Sequence, residues 1–181
     1  MGRKRTIDRD GILDAAEELT REQGAAHLSL DAVARRAGIS KGGLMYNFPS
    51  KDALIAAITE RDLGRFESLL AEKAERIGEK PYATLLARIE ATEEESPETL
   101  AKGACLTATL AQTPEHLGPI QKAYGDEMLR YAPETDGGRR ARLAMIAVEG
   151  AFLLRGLGLM ELSEDEWRLI FADIRALVPD A

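Results

Sequence analysis

The chain has 181 residues, 45% of them hydrophobic and 30% charged, with a formal net charge of -7. That length supports one large domain or two small ones with a real core, and the composition excludes disordered, collagenous and disulfide-scaffold classes. Cys105 is the only cysteine, so an internal disulfide framework is excluded and a reducing compartment fits.

Residues 1–10 are basic and then polar, with no apolar signal segment, so a cytoplasmic location is expected. Residues 143–160 are mostly apolar, but Glu149 and Arg155 sit well inside them. The stretch also falls short of the about 20 apolar residues that a membrane span needs, so no membrane partner is expected. The acidic balance is uneven. Residues 1–61 carry 10 Lys/Arg against 9 Asp/Glu, whereas residues 62–181 carry 14 against 22. A neutral to basic head on an acidic body is compatible with a polyanionic partner that the net charge alone would argue against.

The first helix is predicted at about 8–23, where Ile12, Ala15, Ala16 and Leu19 recur at helical spacing and Gly24 stops the run. A short second helix follows Ser29, an N-cap, and buries Val33, Ala34 and Ala37. Gly38 then turns the chain and Ser40 caps a third short helix from Lys41 to about Phe48. Pro49 breaks it, and Ser50 caps a long fourth helix over about 51–77 with Leu54, Ile58, Phe66, Leu69 and Leu70 on its apolar side. Further helices are predicted at about 81–95, 97–112 and 117–132, with a loop over 113–119 and a turn over 135–138. A last helical hairpin covers about 139–159 and 164–178, its second helix opened by a Ser163/Glu166 capping box. No strand pattern or internal repeat appears. The fold class is all-α, and the break at Pro49 divides the chain into 1–50 and 51–181.

The informative stretch is S-L-D-A-V-A-R-R-A-G-I-S-K-G-G-L-M-Y-N-F-P-S-K, from Ser29 to Lys51. Two short helices meet at a glycine turn, with Ala34 and Ala37 small enough for close approach, as a helix-turn-helix requires. The second is apolar at Leu44 and Phe48 and polar or small elsewhere, so one side packs and the other can face a major groove. Over 12–58 the chain resembles the TetR/AcrR family of bacterial transcriptional regulators, including the junction F-P-S-K-D-A-L after the motif. Beyond that only length and helical character are similar.

The resemblance implies a helix-turn-helix DNA-binding domain over 1–50, a helical ligand-sensing and dimerisation domain over 51–181, and roles for individual residues. Ser29 and Ser40 cap helices and donate to phosphates, while Lys41 reaches a guanine edge or a phosphate. Gly42 and Gly43 let the backbone approach the groove. Tyr46 contacts phosphate, its alternative being packing between helices, and Lys51 adds a backbone clamp. Met45 and Asn47 stand where many relatives have tyrosine and histidine, and Gly43 replaces a larger side chain. Met45 therefore offers an apolar contact, and Asn47 reads adenine or binds phosphate. Arg3, Lys4 and Arg5 form either a minor-groove arm or a solubilising tail.

Readers of this kind act as two-fold dimers on palindromic double-stranded DNA. The candidate interface is the final hairpin: Ala147, Gly150, Ala151, Leu154 and Gly158, with Trp167, Ile170, Phe171 and Ile174. The alternative is that its first helix is simply this chain's central core helix. The resemblance also implies a repressor with a small-molecule effector between the middle helices. Candidate lining residues are Phe66, Tyr82, Leu86, Cys105, Leu106, Met128 and Phe152, though for any one of them core packing is the commoner role. The rival reading is a ligand-independent regulator acting through a protein partner, and a filled, polar body interior would favour it. Cys105 reads as a structural thiol rather than a redox sensor, and Glu93, Glu94 and Glu95 as a solvated helix end. His27 and His116 lie far apart. No metal site, cofactor or catalytic constellation is read, so an enzyme is not expected.

Overall fold

Side-chain caps determine where most of the helices begin. In the computed structural model, which describes residues 8–23, 28–111 and 117–179, Ser29 accepts from Ala32 N, Ser40 from Gly43 N and Ser50 from Ala53 N. Thr135 accepts from Gly138 N and Ser163 from Glu166 N, the last within a complete capping box. Each cap satisfies an amide that the first helical turn leaves without a partner. The described residues form nine helices and no strand: α1 (Arg9–Gln23), α2 (Leu30–Ala37), α3 (Lys41–Asn47), α4 (Lys51–Ile77), α5 (Ala83–Glu94), α6 (Pro97–Ala111), α7 (Gly118–Met128), α8 (Asp136–Gly156) and α9 (Glu164–Leu177).

The segment 135–138, expected as a turn, is instead the cap and first turn of α8. Gly138 is buried there, and a Cβ on it would lie 1.9 Å from the Ala132 carbonyl oxygen. Capped by Thr135, α8 starts and ends three residues earlier than its apolar pattern suggested. Arg3, Lys4, Arg5, His27 and His116 lie outside the described residues.

Two cores organise the packing. The first joins Ile12, Ala16 and Leu19 of α1, Val33 and Ala34 of α2, Leu44 and Phe48 around α3, and Leu54, Ile55 and Ile58 of α4. It also takes in Leu106 and Leu110 from α6, so the head is packed directly onto a body helix. The second joins Leu85 and Ile89 of α5, Leu100 of α6, Ala144, Met145 and Val148 of α8, and Trp167, Phe171 and Ile174 of α9.

Ion pairs bind the layers together. Glu17 of α1 receives Arg61 of α4 (2.5 Å) and also Lys102 of α6, and Arg61 reaches Asp14 at 2.8 Å. Lys73 of α4 is buried between Glu90 (3.0 Å) and Glu94 (2.6 Å) of α5. Burial by itself would lower the Lys73 pKa, but its bonds to Glu94 and Glu90 outweigh that and the net shift is upward. Of the glutamates expected as a solvated helix end, Glu94 stays exposed while pairing with Lys73, whereas Glu93 is half-buried and structural. Glu93 pairs with Arg175 at 2.9 Å and its carbonyl accepts from the Trp167 indole at 3.0 Å.

Candidate functional site

The helix-turn-helix is locked from behind and open in front. Gly38 closes α2 in the left-handed conformation (φ 67°, ψ 33°), which a side chain disfavours. Arg36 is fastened to α1 through Glu22 (2.6 Å) and Glu18 (3.1 Å), and those hydrogen bonds, Glu22's first, raise its pKa further. It therefore orients α2 against α1. Leu44 and Phe48 are buried, with the Arg9 guanidinium 5.1 Å from the Phe48 ring centroid.

The outer face of α3 is solvent-exposed. Tyr46 is 89% exposed and Met45 44%, so Tyr46 does not pack between helices. Lys41 is exposed and paired with Asp31 at 3.0 Å, a surface contact that a phosphate can replace. Arg35 is exposed, with no ion pair among the described residues. A Cβ on Gly42 would meet nothing within 4 Å, so the fold itself does not demand glycine there. Asn47 is half-buried and donates to the Gly43 carbonyl at 3.0 Å, which spends one of its amide hydrogens inside the helix. Ser29, Ser40 and Ser50 are exposed but committed as caps, and Lys51 opens α4 beside them.

In the body, α4, α5, α6, α7 and α8 line a cavity of about 140 Å³. Of the seven lining residues expected from the sequence, Phe66 and Phe152 line it. The other five belong elsewhere. Leu106 is buried in the head core, while Leu86 and Met128 pack against the body core. Tyr82 takes a left-handed backbone (φ 62°) and stacks on Tyr131, ring centroids 6.0 Å apart. Cys105 is half-buried on α6 and does not reach the cavity. A single α-helix turns every residue through 100°, so membership of the middle helices does not decide which side chains meet at one void.

A polar cluster that the sequence reading missed borders this cavity. Arg88 of α5 donates to Glu127 of α7 through Nη2 (2.6 Å) and Nε (3.1 Å), and to Glu149 of α8 through Nη1 (2.9 Å). Tyr124 donates to Glu149 at 2.6 Å and Tyr131 to Glu127 at 2.8 Å. Burial first, and then the adjacent carboxylates, push both phenols up, so they remain donors. The only sequence signal was ionisable residues placed within otherwise apolar helices, Arg88 and Glu149.

The hairpin of α8 and α9 leaves an apolar groove lined by Ala147, Gly150, Ala151, Leu154, Ile170 and Ile174 among others. Around it Leu143, Ile146, Leu159 and Leu169 are each at least 60% exposed. Trp167 and Phe171, expected at an interface, stack on each other at 4.5 Å inside this chain's own core and cannot face outward. Ile174 and Ala151 are mostly covered by the same core. Gly158 lies beyond α8 with φ 66°, so its glycine serves the turn rather than a close helix approach.

Residues 12–58 match the model of the bacterial regulatory proteins of the tetR family, and residues 83–179 match the tetracyclin repressor-like C-terminal domain. The chain belongs to the TetR family. Its members are DNA-binding transcriptional regulators, and neither family nor fold is that of an enzyme. No curated protein matches the sequence. Solved structures carry the same fold across nearly the whole TetR-family chain. A transcriptional regulator of Streptomyces coelicolor A3(2) is 21% identical, covering 94% of this chain and 97% of its own, with a TM-score of 0.71. The multidrug binding protein EbrR, solved with imidazole, is 20% identical over 96% and 90%, with a TM-score of 0.67. NalD of Pseudomonas aeruginosa, the secondary repressor of the MexAB-OprM multidrug efflux pump, is 21% identical over 96% of each chain, with a TM-score of 0.60. Among the described residues no helix of this TetR-family chain is long and apolar enough to cross a membrane.

Proposed function

We propose that this TetR-family chain is a homodimeric repressor that docks α3 in the major groove of a palindromic operator and is released by a small molecule bound in the body. The observation that carries the docking is the outer face of α3. Tyr46 and Met45 stand in solvent, Lys41 is exchangeable, and nothing in the fold occupies the space beside Gly42. Tyr46, Lys41 and Lys51 serve as phosphate contacts that set register, while Met45 offers an apolar edge to a thymine methyl. Asn47 reads a base only by giving up, or sharing, its bond to Gly43.

The exposed apolar stripe of α8 and α9 supports pairing with a second copy, because scattered leucines are ordinary but a contiguous patch around a groove is not. The cavity supports the release. Its walls include Phe66 and Leu70 of α4 and Thr99, Leu100, Gly103 and Thr107 of α6. Both helices pack against the head, α4 through Leu54 and Ile58, α6 through Leu106, Leu110 and the Lys102–Glu17 pair. A ligand that wedges these helices apart therefore shifts the spacing of the two heads, and its differential affinity for the two arrangements sets the extent of release.

Selection of bound sequences from a random duplex pool tests the docking. An enriched palindrome is expected, with affinity falling steeply as salt rises. No enrichment, or a flat salt response, removes the operator reading.

A further inference from the structure

The proposed effector site has a charge imbalance of its own. Arg88 is surrounded by two carboxylates, Glu127 and Glu149, and the side chains of all three are largely withdrawn from water, at 11%, 7% and 21% exposure. Counted by groups in ion-pair contact, the cluster has one more carboxylate than cation, in a setting where an unbalanced charge is costly. The cavity wall adds Asp62, Glu67 and Glu95 against Arg65 alone. Arg65 is already 3.5 Å from Asp62. An arriving anion finds no free cation here, since the buried guanidinium is paired twice and its two neighbouring phenols donate to the same carboxylates.

The remaining surface is apolar. Phe66, Phe152 and Leu100 form a body-binding wall, and Gly103 makes room for the Phe152 ring, whose Cζ would be 3.3 Å from a Cβ placed there. The volume of about 140 Å³ suits a group of one-ring size; an apolar cavity of roughly 150 Å³ takes benzene.

We propose that this cavity selects a small organic cation, an ammonium or amidinium on an apolar body of about one ring, with its charged group against Glu149. This rests on the effector reading above and names the chemical class of the ligand. The excess carboxylate supplies the counter-charge, the aromatic walls hold the body, and the acidic rim concentrates cations at the mouth.

The test is calorimetric titration of the full-length protein with three probes of one shape: benzylamine in its protonated form, benzyl alcohol and benzoate. The cation is expected to bind at least about tenfold tighter than the alcohol, with benzoate weakest. Glu149→Gln is expected to cut the cation's lead to roughly threefold or less while leaving the alcohol's affinity in place. If that variant does not fold by circular dichroism, Glu95→Gln at the rim is read instead and is expected to reduce the lead by about twofold. Benzoate equal to the cation, binding by none of the three, or an undiminished lead in the variant that is read overturns the proposal. Operator release is measured separately. Tight cation binding without release leaves this inference intact and removes the effector reading, whereas release by an anionic molecule does the reverse.

Discussion

Tyr46 shows what a residue outside the core can be asked to do. At 89% exposure it adds almost nothing to the head's packing, so its removal leaves folding alone. Tyr46→Phe is expected to weaken operator binding by about 1–2 kcal/mol, the worth of a hydrogen bond to a charged phosphate, while the urea midpoint stays unchanged. Because a phosphate contact carries no sequence information, the loss should be similar on operator and random duplexes, measured by fluorescence anisotropy. A large loss of stability, or a loss confined to one base position, would contradict that assignment. The positions of Lys41, Gly42, Met45 and Tyr46 were legible in the sequence, since a seven-residue helix with Leu44 and Phe48 inward leaves few other residues to face out. The Asn47 bond to Gly43 was not, because a side chain's choice between its own helix and a partner depends on the local backbone. Nor was the pairing of Arg36, which Glu18 and Glu22 of another helix take up.

The helices themselves were written in local chemistry. Ser29, Ser40, Ser50 and Ser163 each accept from the amide three residues on, and all four helix starts follow from them. The contacts between elements followed different rules. A Cβ on Gly156 would lie 2.6 Å from the Ala104 Cβ and 2.7 Å from the Leu100 carbonyl oxygen, so α6 and α8 touch there at the backbone. Gly156→Ala is expected to destabilise by about 2 kcal/mol, overpacking exceeding the gain in helix propensity. Urea denaturation checks it, and a neutral or stabilising result would mean the crossing is looser than the structure has it. The α4–α5 contact carries a pH signature. Glu90 accepts from Lys73, which lowers its carboxyl below the ordinary value. A lowered folded-state pKa adds stability above the unfolded value of about 4.3, and that stability is lost as pH falls through the folded value. Glu90→Gln is therefore expected to cost about 1 kcal/mol at pH 7, with the difference from the unsubstituted protein closing as the pH is taken below about 4, read from urea midpoints at both pH values.

For the whole molecule, the balance lies between what α8 buries inward and what it leaves outward. Its inner face, Ala144, Met145 and Val148, completes the body core, while Leu143 and Ile146 are exposed on the other side. A core helix and an interface helix are thus one element with two faces. Ile146→Glu is expected to shift the protein to monomer in light scattering at micromolar concentration and to weaken operator binding, with the far-ultraviolet spectrum retained. A dimer that persists would place the contact elsewhere. Apolar spacing, caps and the S-K-G-G-L-M-Y-N-F-P-S-K run determined the helix order, the all-α class and the reading head by themselves, because each depends on residues within about one or two turns of one another. Which phenylalanines meet at the cavity, that Trp167 and Phe171 face inward, and that one arginine is shared by Glu127 and Glu149 were decided only by the tertiary structure. Those arrangements join residues far apart in the chain, Arg88 and Glu149 by 61 positions, and depend on how each helix is rotated about its axis, which packing fixes and local sequence does not.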